Sequence, residues 1–333
     1  MILPGFQHRP GLHCGSTALA DSLRVRGLDL SEPMVFGLGA GLGFYALASP
    51  ELTPSHLFQG RSVHLERTCC EVLGASFRER TAVDAAHAWE GARAALDRGL
   101  APILSTDLAR LPYMRTRTPF GGHRVVLAGH DACHGVALLA DTDLPALQEV
   151  PLEVLDAARA SIAPPFGVPG RPWIEVDAPA RPPDLRAAVR EALRRQARDL
   201  LADVDGSAGI SALERFAEEL PAWPRRCRDE ADRSFAFRYA WQVIEKRGTG
   251  GALFRALYAR FLGEAEGLEP AVGALGLRLR MEEIAAAWSA FAAGLRAIAG
   301  LRGGEVPPEV VAAARDLARR ERGFFEDVAA RVR

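Results

Sequence analysis

Cys14 is the residue of this sequence best placed to do chemistry. It opens the segment CGSTALADSLRVRG, in which Ala18, Leu19 and Leu23 fall on one helical face and Gly27 ends the helix. Cys14 therefore lies at the N-terminus of a predicted helix. The helix dipole and the backbone N–H groups of the first turn stabilise a thiolate there, and they also stabilise an oxyanion on a substrate. The position favours a nucleophilic cysteine.

A nucleophilic cysteine needs a base, and the base needs a group that orients it. The stretch HRVVLAGHDACHGVALLADTD holds two apolar runs, 125–128 and 136–140, around a turn at 129–135, which is typical of an antiparallel hairpin. His123 and Asp141 stand at its open ends, each displaced from the turn by a similar number of residues, so strand pairing brings them together. They are the predicted base and the predicted orienting carboxylate.

These residues also have structural interpretations. A free cysteine is commonly a small buried residue, and a histidine at the start of a strand is often merely solvated. Asp131 and Asp143 are alternatives to Asp141 because they lie close to it in the sequence. Spacing alone leaves a catalytic and a structural role open.

Four stretches resemble a known family. GLHCGSTALADSLRVRGLDLSEPMVFGLGAGLGF, STDLARLPYM and GGHRVVLAGHD resemble the N-terminal domain of the butirosin biosynthesis protein H family, which is similar to papain-like peptidases that process bacteriocins. IEKRGTGGALFRALYARFLGEA resembles the helical domain that commonly follows it. The resemblance covers most of the chain and implies an α+β fold, with a papain-like cysteine protease-type N-terminal domain and an all-α C-terminal domain.

The resemblance implies an acyltransferase. The family's namesake takes an aminoacyl chain from the pantetheine thioester of an acyl carrier protein and places it on an aminoglycoside amine. Carried onto this sequence, Cys14 would be acylated, His123 would act as base and then as acid, and Asp141 would orient His123. The only cofactor implied is the phosphopantetheine of the carrier protein, as part of the donor. Two alternatives stay open: a peptidase or amidase with water as the acceptor, and a non-catalytic binding module on the same fold.

The oxyanion hole has candidate side chains before the cysteine. Papain-like enzymes place a glutamine a few residues before the nucleophile, which makes Gln7 the first candidate. Its separation from Cys14 differs slightly from the usual spacing in the peptidases, and His8 or His13 are alternatives.

The loop over 108–122 carries candidate substrate contacts. Tyr113, Arg115 and Arg117 lie on it ahead of His123, and Arg110 is nearby. Arginine side chains suit phosphate and carboxylate groups, so a contact with the pantetheine phosphate or with an acidic carrier helix is one interpretation. An ordinary solvated loop is the other.

The pattern along the chain predicts three regions. Residues 1–150 mix short strands, including 63–69, 75–81 and 100–107, with helices such as 82–99, and they form the catalytic domain. The proline density over 151–183 indicates a linker or an irregular covering segment. Residues 184–333 are predicted to be helical throughout, beginning at Asp184.

Composition narrows the class of protein. The 333 residues are 48% hydrophobic and 25% charged, as in folded proteins, and a net charge of −1 provides no field to hold nucleic acid or an anionic membrane. The five cysteines have no regular spacing and no CxxC, which argues against a disulfide framework and a structural zinc site. Without a recognisable signal or spanning segment, we expect a cytoplasmic enzyme with a small-molecule acceptor; its apolar helix faces leave room for a homodimer.

Overall fold

The computed structural model describes residues 1–179, 181, 183–202 and 206–332, and they divide into two compact units. The first unit comprises 1–35 and 66–183, and the second comprises 36–65 and 184–333. The segment 36–65 therefore belongs with the C-terminal helices, which the contiguous ranges expected from the sequence did not include. The protein is α+β, with a helical C-terminal region.

The strands are β1 (Leu42–Ala48), β2 (His56–Arg61), β3 (Ser76–Arg80), β4 (Ile103–Asp107), β5 (Gly121–Asp131), β6 (Val136–Asp141), β7 (Leu144–Pro151) and β8 (Trp173–Asp177). The helices are α1 (Cys14–Val25), α2 (Glu32–Leu38), α3 (Leu65–Leu73), α4 (Ala85–Asp97), α5 (Leu152–Arg159), α6 (Leu185–Leu201), α7 (Gly209–Glu219), α8 (Trp223–Arg226), α9 (Glu230–Glu245), α10 (Arg255–Leu268), α11 (Pro270–Gly273), α12 (Leu277–Gly300) and α13 (Pro308–Arg331).

The first unit is built on a six-stranded antiparallel sheet in the order β3-β8-β4-β5-β6-β7. Helix α1 packs on β5 and buries Leu19 and Leu23 completely. Burial of such side chains stabilises the fold by roughly 1.5–3 kcal/mol each, so α1 is held firmly on the sheet. The start of α1 is thereby fixed relative to β5.

The sequence interpretation of 151–183 as a linker or covering segment is corrected by two elements. Helix α5 begins directly after β7, and β8 lies inside the sheet between β3 and β4. Trp173 and Ile174 of β8 are buried. The prolines of this region lie before and after α5 and β8 and not within them. Both elements are short enough to fit between neighbouring prolines.

A second correction concerns 63–69, which the sequence predicted as a strand. The structure has a helix there, α3, in which Leu65, Cys69 and Leu73 are buried. Their spacing of four residues places them on one helical face. The neighbouring prediction at 75–81 is confirmed by β3, and those at 82–99 and 100–107 by α4 and β4.

The second unit packs its helices around the β1–β2 hairpin. Phe44 and Phe58 of the hairpin are stacked at 5.6 Å between ring centroids, and Phe216 of α7 meets both rings. At its centre, the fully buried Arg255 and Glu321 form an ion pair with two contacts of 2.8 Å, and Trp288 Nε1 donates to Glu321 at 2.6 Å. The all-α interpretation thus holds for the described part of 184–332, and the hairpin from 36–65 is added to it.

Candidate functional site

Cys14 is the first residue of α1, as the sequence pattern predicts. His13 caps the helix: its Nδ1 accepts the backbone N–H of Ser16 at 3.2 Å. Cys14 is partly exposed as a residue, whereas Cys69 and Cys70 are buried. Cys14 thus lies in the first turn of α1, where the helix carries a positive partial charge.

The hairpin of β5 and β6 brings His123 and Asp141 together. Val126 pairs with Ala140 in the register, and a bulge lies between Leu127 and Gly129. His123 Nε2 lies 2.8 Å from Asp141 Oδ1 and 2.9 Å from Oδ2. Both side chains are buried, so this hydrogen bond is shielded from water.

The two alternative carboxylates lie elsewhere. Asp131 accepts the backbone N–H of Cys133 at 2.9 Å and pairs with the exposed His134 in the β5–β6 turn. Asp143 is exposed in the turn between β6 and β7. Of the three aspartates considered from the sequence, Asp141 is the one bonded to His123.

His123 is also hydrogen-bonded to the side chain of Cys14. Because Asp141 occupies Nε2, Nδ1 is the ring nitrogen left for the sulfur. Burial lowers the pKa of His123, but the charge and hydrogen bond of Asp141 outweigh burial, and with the contribution of Cys14 they raise the pKa to about 10. The imidazole is therefore protonated at neutral pH and lies beside the sulfur as a cation.

Asp141 has two further hydrogen-bond donors. Tyr113 Oη donates to Oδ2 at 2.8 Å and Thr142 Oγ1 donates to Oδ1 at 3.0 Å. Burial raises the pKa of Asp141, but the charge of His123 and the hydrogen bonds from His123, Tyr113 and Thr142 outweigh it and hold the pKa below its ordinary value. Asp141 is thus an ionised carboxylate hydrogen-bonded to the imidazole of His123.

Thr142 links this carboxylate to the chain before the cysteine. Its carbonyl accepts the N–H of Gly11 at 2.7 Å, and its backbone has a φ of 25°, which is unusual for a β-branched residue. Such a conformation persists only where the surroundings enforce it. The segment that leads to Cys14 is therefore anchored next to Asp141.

Glu32 is a part of the site that the sequence analysis missed. Its carboxylate accepts the backbone N–H groups of Leu12, at 2.9 Å, and His13, at 2.7 Å. It also accepts the hydroxyls of Ser16 and Thr17, both at 3.1 Å. One side chain thus holds the residues on both sides of Cys14.

The only sequence signal for this contact is Gly11. A Cβ at that position would lie 2.1 Å from Thr17 Oγ1 and 2.9 Å from the carboxylate of Glu32. A glycine is therefore required for the carboxylate to approach the backbone. The need for a glycine at position 11 can be recognised only when Glu32 is known to lie against it.

The candidate oxyanion side chains have different surroundings. Gln7 is exposed, and its backbone carbonyl accepts Arg24 at 3.1 Å. His8 bonds to the buried Asp21 of α1 through Nδ1 at 2.5 Å. His13 is buried and serves as the helix cap described above. An oxyanion role for Gln7 or His13 stays a prediction.

Arg115 and Arg117 are exposed on the loop between β4 and β5, and Tyr113 of the same loop contacts Asp141. The structure thus brings Tyr113 into the site and leaves the two arginines on the surface beside it. Across the described ranges, no group of three or more His, Cys, Asp or Glu side chains is arranged to hold a metal ion. No described helix is both long and apolar enough to cross a membrane.

Comparisons with known families cover both regions of the chain. Residues 13–142 match the family described as butirosin biosynthesis protein H, N-terminal, and this range includes Cys14, His123 and Asp141. Residues 153–328, more than half of the chain, match a domain of unknown function, DUF4872. No curated protein matches the sequence.

Proposed function

From the family membership of the chain we propose that it is a cysteine-dependent acyltransferase of specialised-metabolite biosynthesis. The chain belongs to the butirosin biosynthesis protein H family through its N-terminal region and to the DUF4872 family through residues 153–328. The donor is an acyl or aminoacyl thioester on a carrier protein, and the acceptor is an amine or hydroxyl of a small molecule. The acyl group passes through Cys14.

The observation that carries the proposal is the series of contacts from Cys14 through His123 to Asp141. A structural cysteine has a different environment in this same chain. Cys69 and Cys70 are fully buried, and burial raises the pKa of Cys69 well above its ordinary value and that of Cys70 to about 12. Cys14 is instead partly exposed, begins a helix and bonds to a protonated imidazole. That environment favours a reactive thiolate.

In the first step, the Cys14 thiolate attacks the thioester carbonyl carbon. The N-terminal end of α1 stabilises the oxyanion that forms. As the intermediate collapses, the bond between the carbonyl carbon and the pantetheine sulfur breaks, and the leaving sulfur takes the proton of His123. One thioester replaces another, so this exchange is nearly balanced in free energy.

In the second step, the acceptor amine or hydroxyl attacks acyl-Cys14 and gives its proton to His123. Cys14 leaves as the thiolate, and His123 is again the cation that Asp141 stabilises. The sequence predicts His123 as a base and then as an acid; the raised pKa of about 10 supports a version in which His123 already holds the proton before the thioester is attacked. The order of the proton transfers stays a prediction.

A papain-like arrangement is part of the proposal. The nucleophile begins the first helix of the unit, and its partners follow in the order His123 and Asp141 on adjacent antiparallel strands. Such a site recurs on unrelated folds, so the roles of the residues rather than the fold support the chemistry.

The test is the covalent intermediate. Incubation with acyl-loaded carrier proteins should add one acyl mass to the intact protein, and peptide mapping should locate it on Cys14. Cys14→Ala should show no adduct, whereas Cys133→Ser, which alters an exposed cysteine of the β5–β6 turn, should behave as the wild type. An equal adduct on Cys14→Ala would disprove the nucleophile.

Product analysis separates transfer from hydrolysis. In a transferase, an added amine acceptor should be acylated and should accelerate the loss of acyl-Cys14. A hydrolase would release the free acid at a rate that the amine does not alter. A non-catalytic module would acquire no adduct, and its Cys14 would alkylate with the pH profile of an ordinary thiol, near pH 8.5.

A further inference from the structure

Residues 108–120 form the loop between β4 and β5, and hydrogen bonds join the two ends of this loop. Leu108 N–H donates to the carbonyl of Phe120 at 3.0 Å. The buried Asp107 accepts the N–H of Ala109 at 3.1 Å and that of Phe120 at 3.0 Å. The loop therefore leaves and re-enters the sheet at one fixed place.

A further hydrogen bond, from Tyr113, attaches the loop to the candidate site. Tyr113 Oη donates to Asp141 Oδ2, and burial together with the charge of Asp141 raises the pKa of Tyr113, so the phenol stays protonated and keeps donating. Consecutive Cα atoms are about 3.8 Å apart, so Arg115 and Arg117 lie within roughly 8 and 15 Å of Tyr113 along the chain. The backbone that carries these arginines is therefore tethered to Asp141 through Tyr113.

The exposed charge of the loop has a single sign. It carries Arg110, Arg115 and Arg117 and no acidic residue between positions 108 and 122. Arg110 is 55% exposed and forms an ion pair with Asp107 at 3.6 Å. Among the residues that the structure describes, Arg115 and Arg117 have no hydrogen bond or ion pair. In a protein of net charge −1, this is a local positive surface.

We propose that this loop is the docking surface for the acidic face of the protein that carries the acyl thioester. The inference rests on the proposed function, because it names the partner of the same site. Arginine guanidinium groups bind carboxylates in a bidentate manner, and a positive surface speeds the encounter with a negative partner. The hydrogen bond from Tyr113 to Asp141 ties the loop to the candidate site, so a carrier bound to the loop is tethered to that site.

The experiment compares three donors with one acyl group: a carrier protein, coenzyme A and N-acetylcysteamine. The variant is Arg115→Glu/Arg117→Glu. The matched control is Arg78→Glu/Arg80→Glu, which changes the same charge at the same spacing on the exposed edge strand β3. The readout is kcat/KM for acylation of Cys14, measured at low and at high salt.

We expect the ratio of kcat/KM for the carrier to that for the N-acetylcysteamine thioester to fall at least about tenfold in the loop variant. The difference from the wild type should shrink at high salt, and the β3 control should keep the wild-type ratio. An unchanged ratio in the loop variant would overturn the proposal. An equal loss with coenzyme A would also overturn it, because the arginines would then bind the phosphate and not the protein. If none of the three donors acylated Cys14 in the wild type, the proposed function itself would be rejected.

Discussion

Asp141→Asn tests whether the carboxylate keeps the proton on His123. In the wild type the pKa of His123 is raised to about 10 against an ordinary value of 6.5, although burial lowers it. With asparagine the charge of Asp141 is lost, whereas burial and the contribution of Cys14 remain, so the pKa of His123 should fall well below about 10. The fraction of His123 that is protonated at pH 7 should fall with it.

The consequence for the reaction is large. A neutral imidazole no longer stabilises the thiolate and has no proton for the leaving sulfur. The tautomer is also no longer dictated, because an asparagine side chain can donate as well as accept. We expect kcat for acyl transfer to fall on the order of 10⁴-fold, comparable with the same Asp→Asn change at the orienting aspartate of other triads.

Alkylation of Cys14 by iodoacetamide, followed by peptide mass, gives an assay that needs no substrate. Wild-type Cys14 should react readily at about pH 6, whereas Asp141→Asn should need a pH closer to about 8.5. Thermal melting checks the fold, and the loss of a buried charge-assisted contact should cost about 1–3 kcal/mol. Asp131→Asn, at the exposed pair with His134, is the matched control and should leave the profile unchanged. A wild-type profile in Asp141→Asn would refute the reasoning.

Two further predictions concern stability and positioning. The His123–Asp141 pair should stabilise the fold fully between about pH 3.8 and 6.5. The contribution from the raised pKa of His123 is lost as the pH rises through about 10. The contribution from the lowered pKa of Asp141 is lost as the pH falls below about 3.8. Urea unfolding should show a lower free energy of unfolding at pH 9.5 than at pH 6 in the wild type, and a much smaller difference in His123→Ala. An equal difference in the two proteins would contradict the prediction. Glu32→Ala should lower stability by about 1–3 kcal/mol and slow the alkylation of Cys14 at every pH, whereas the exposed Glu90→Ala should do neither. Loss of stability with normal thiol reactivity would show that Glu32 does not position Cys14.

The parts of the site that could be predicted are those with a local pattern. The apolar runs on both sides of 129–135 predict the hairpin, and the hairpin brings the side chain of His123 within hydrogen-bonding distance of Asp141. The apolar face after Cys14 predicts α1. In each case the signal and the structure lie within about 20 residues of each other, where periodicity and turn residues decide the conformation.

The elements that were missed depend on contacts distant in sequence. Strand β8 is short and flanked by prolines, and it becomes a strand because β3 and β4 accept it between them. Segment 36–65 has ordinary strand and helix patterns, and no local feature indicates that it joins the C-terminal helices. Tertiary pairing overrides local preference in both cases.

Glu32 shows why the supporting residues of a reactive group are harder to find than the group itself. A nucleophile is recognised by its type and its place on a helix, whereas a positioning carboxylate is recognised only by the donors that it meets. Those donors here are backbone N–H groups of Leu12 and His13, which any sequence would supply. The chain shows the contact only through the absence of a side chain at Gly11, and an absence of that kind has meaning only once the fold has placed Glu32 against it.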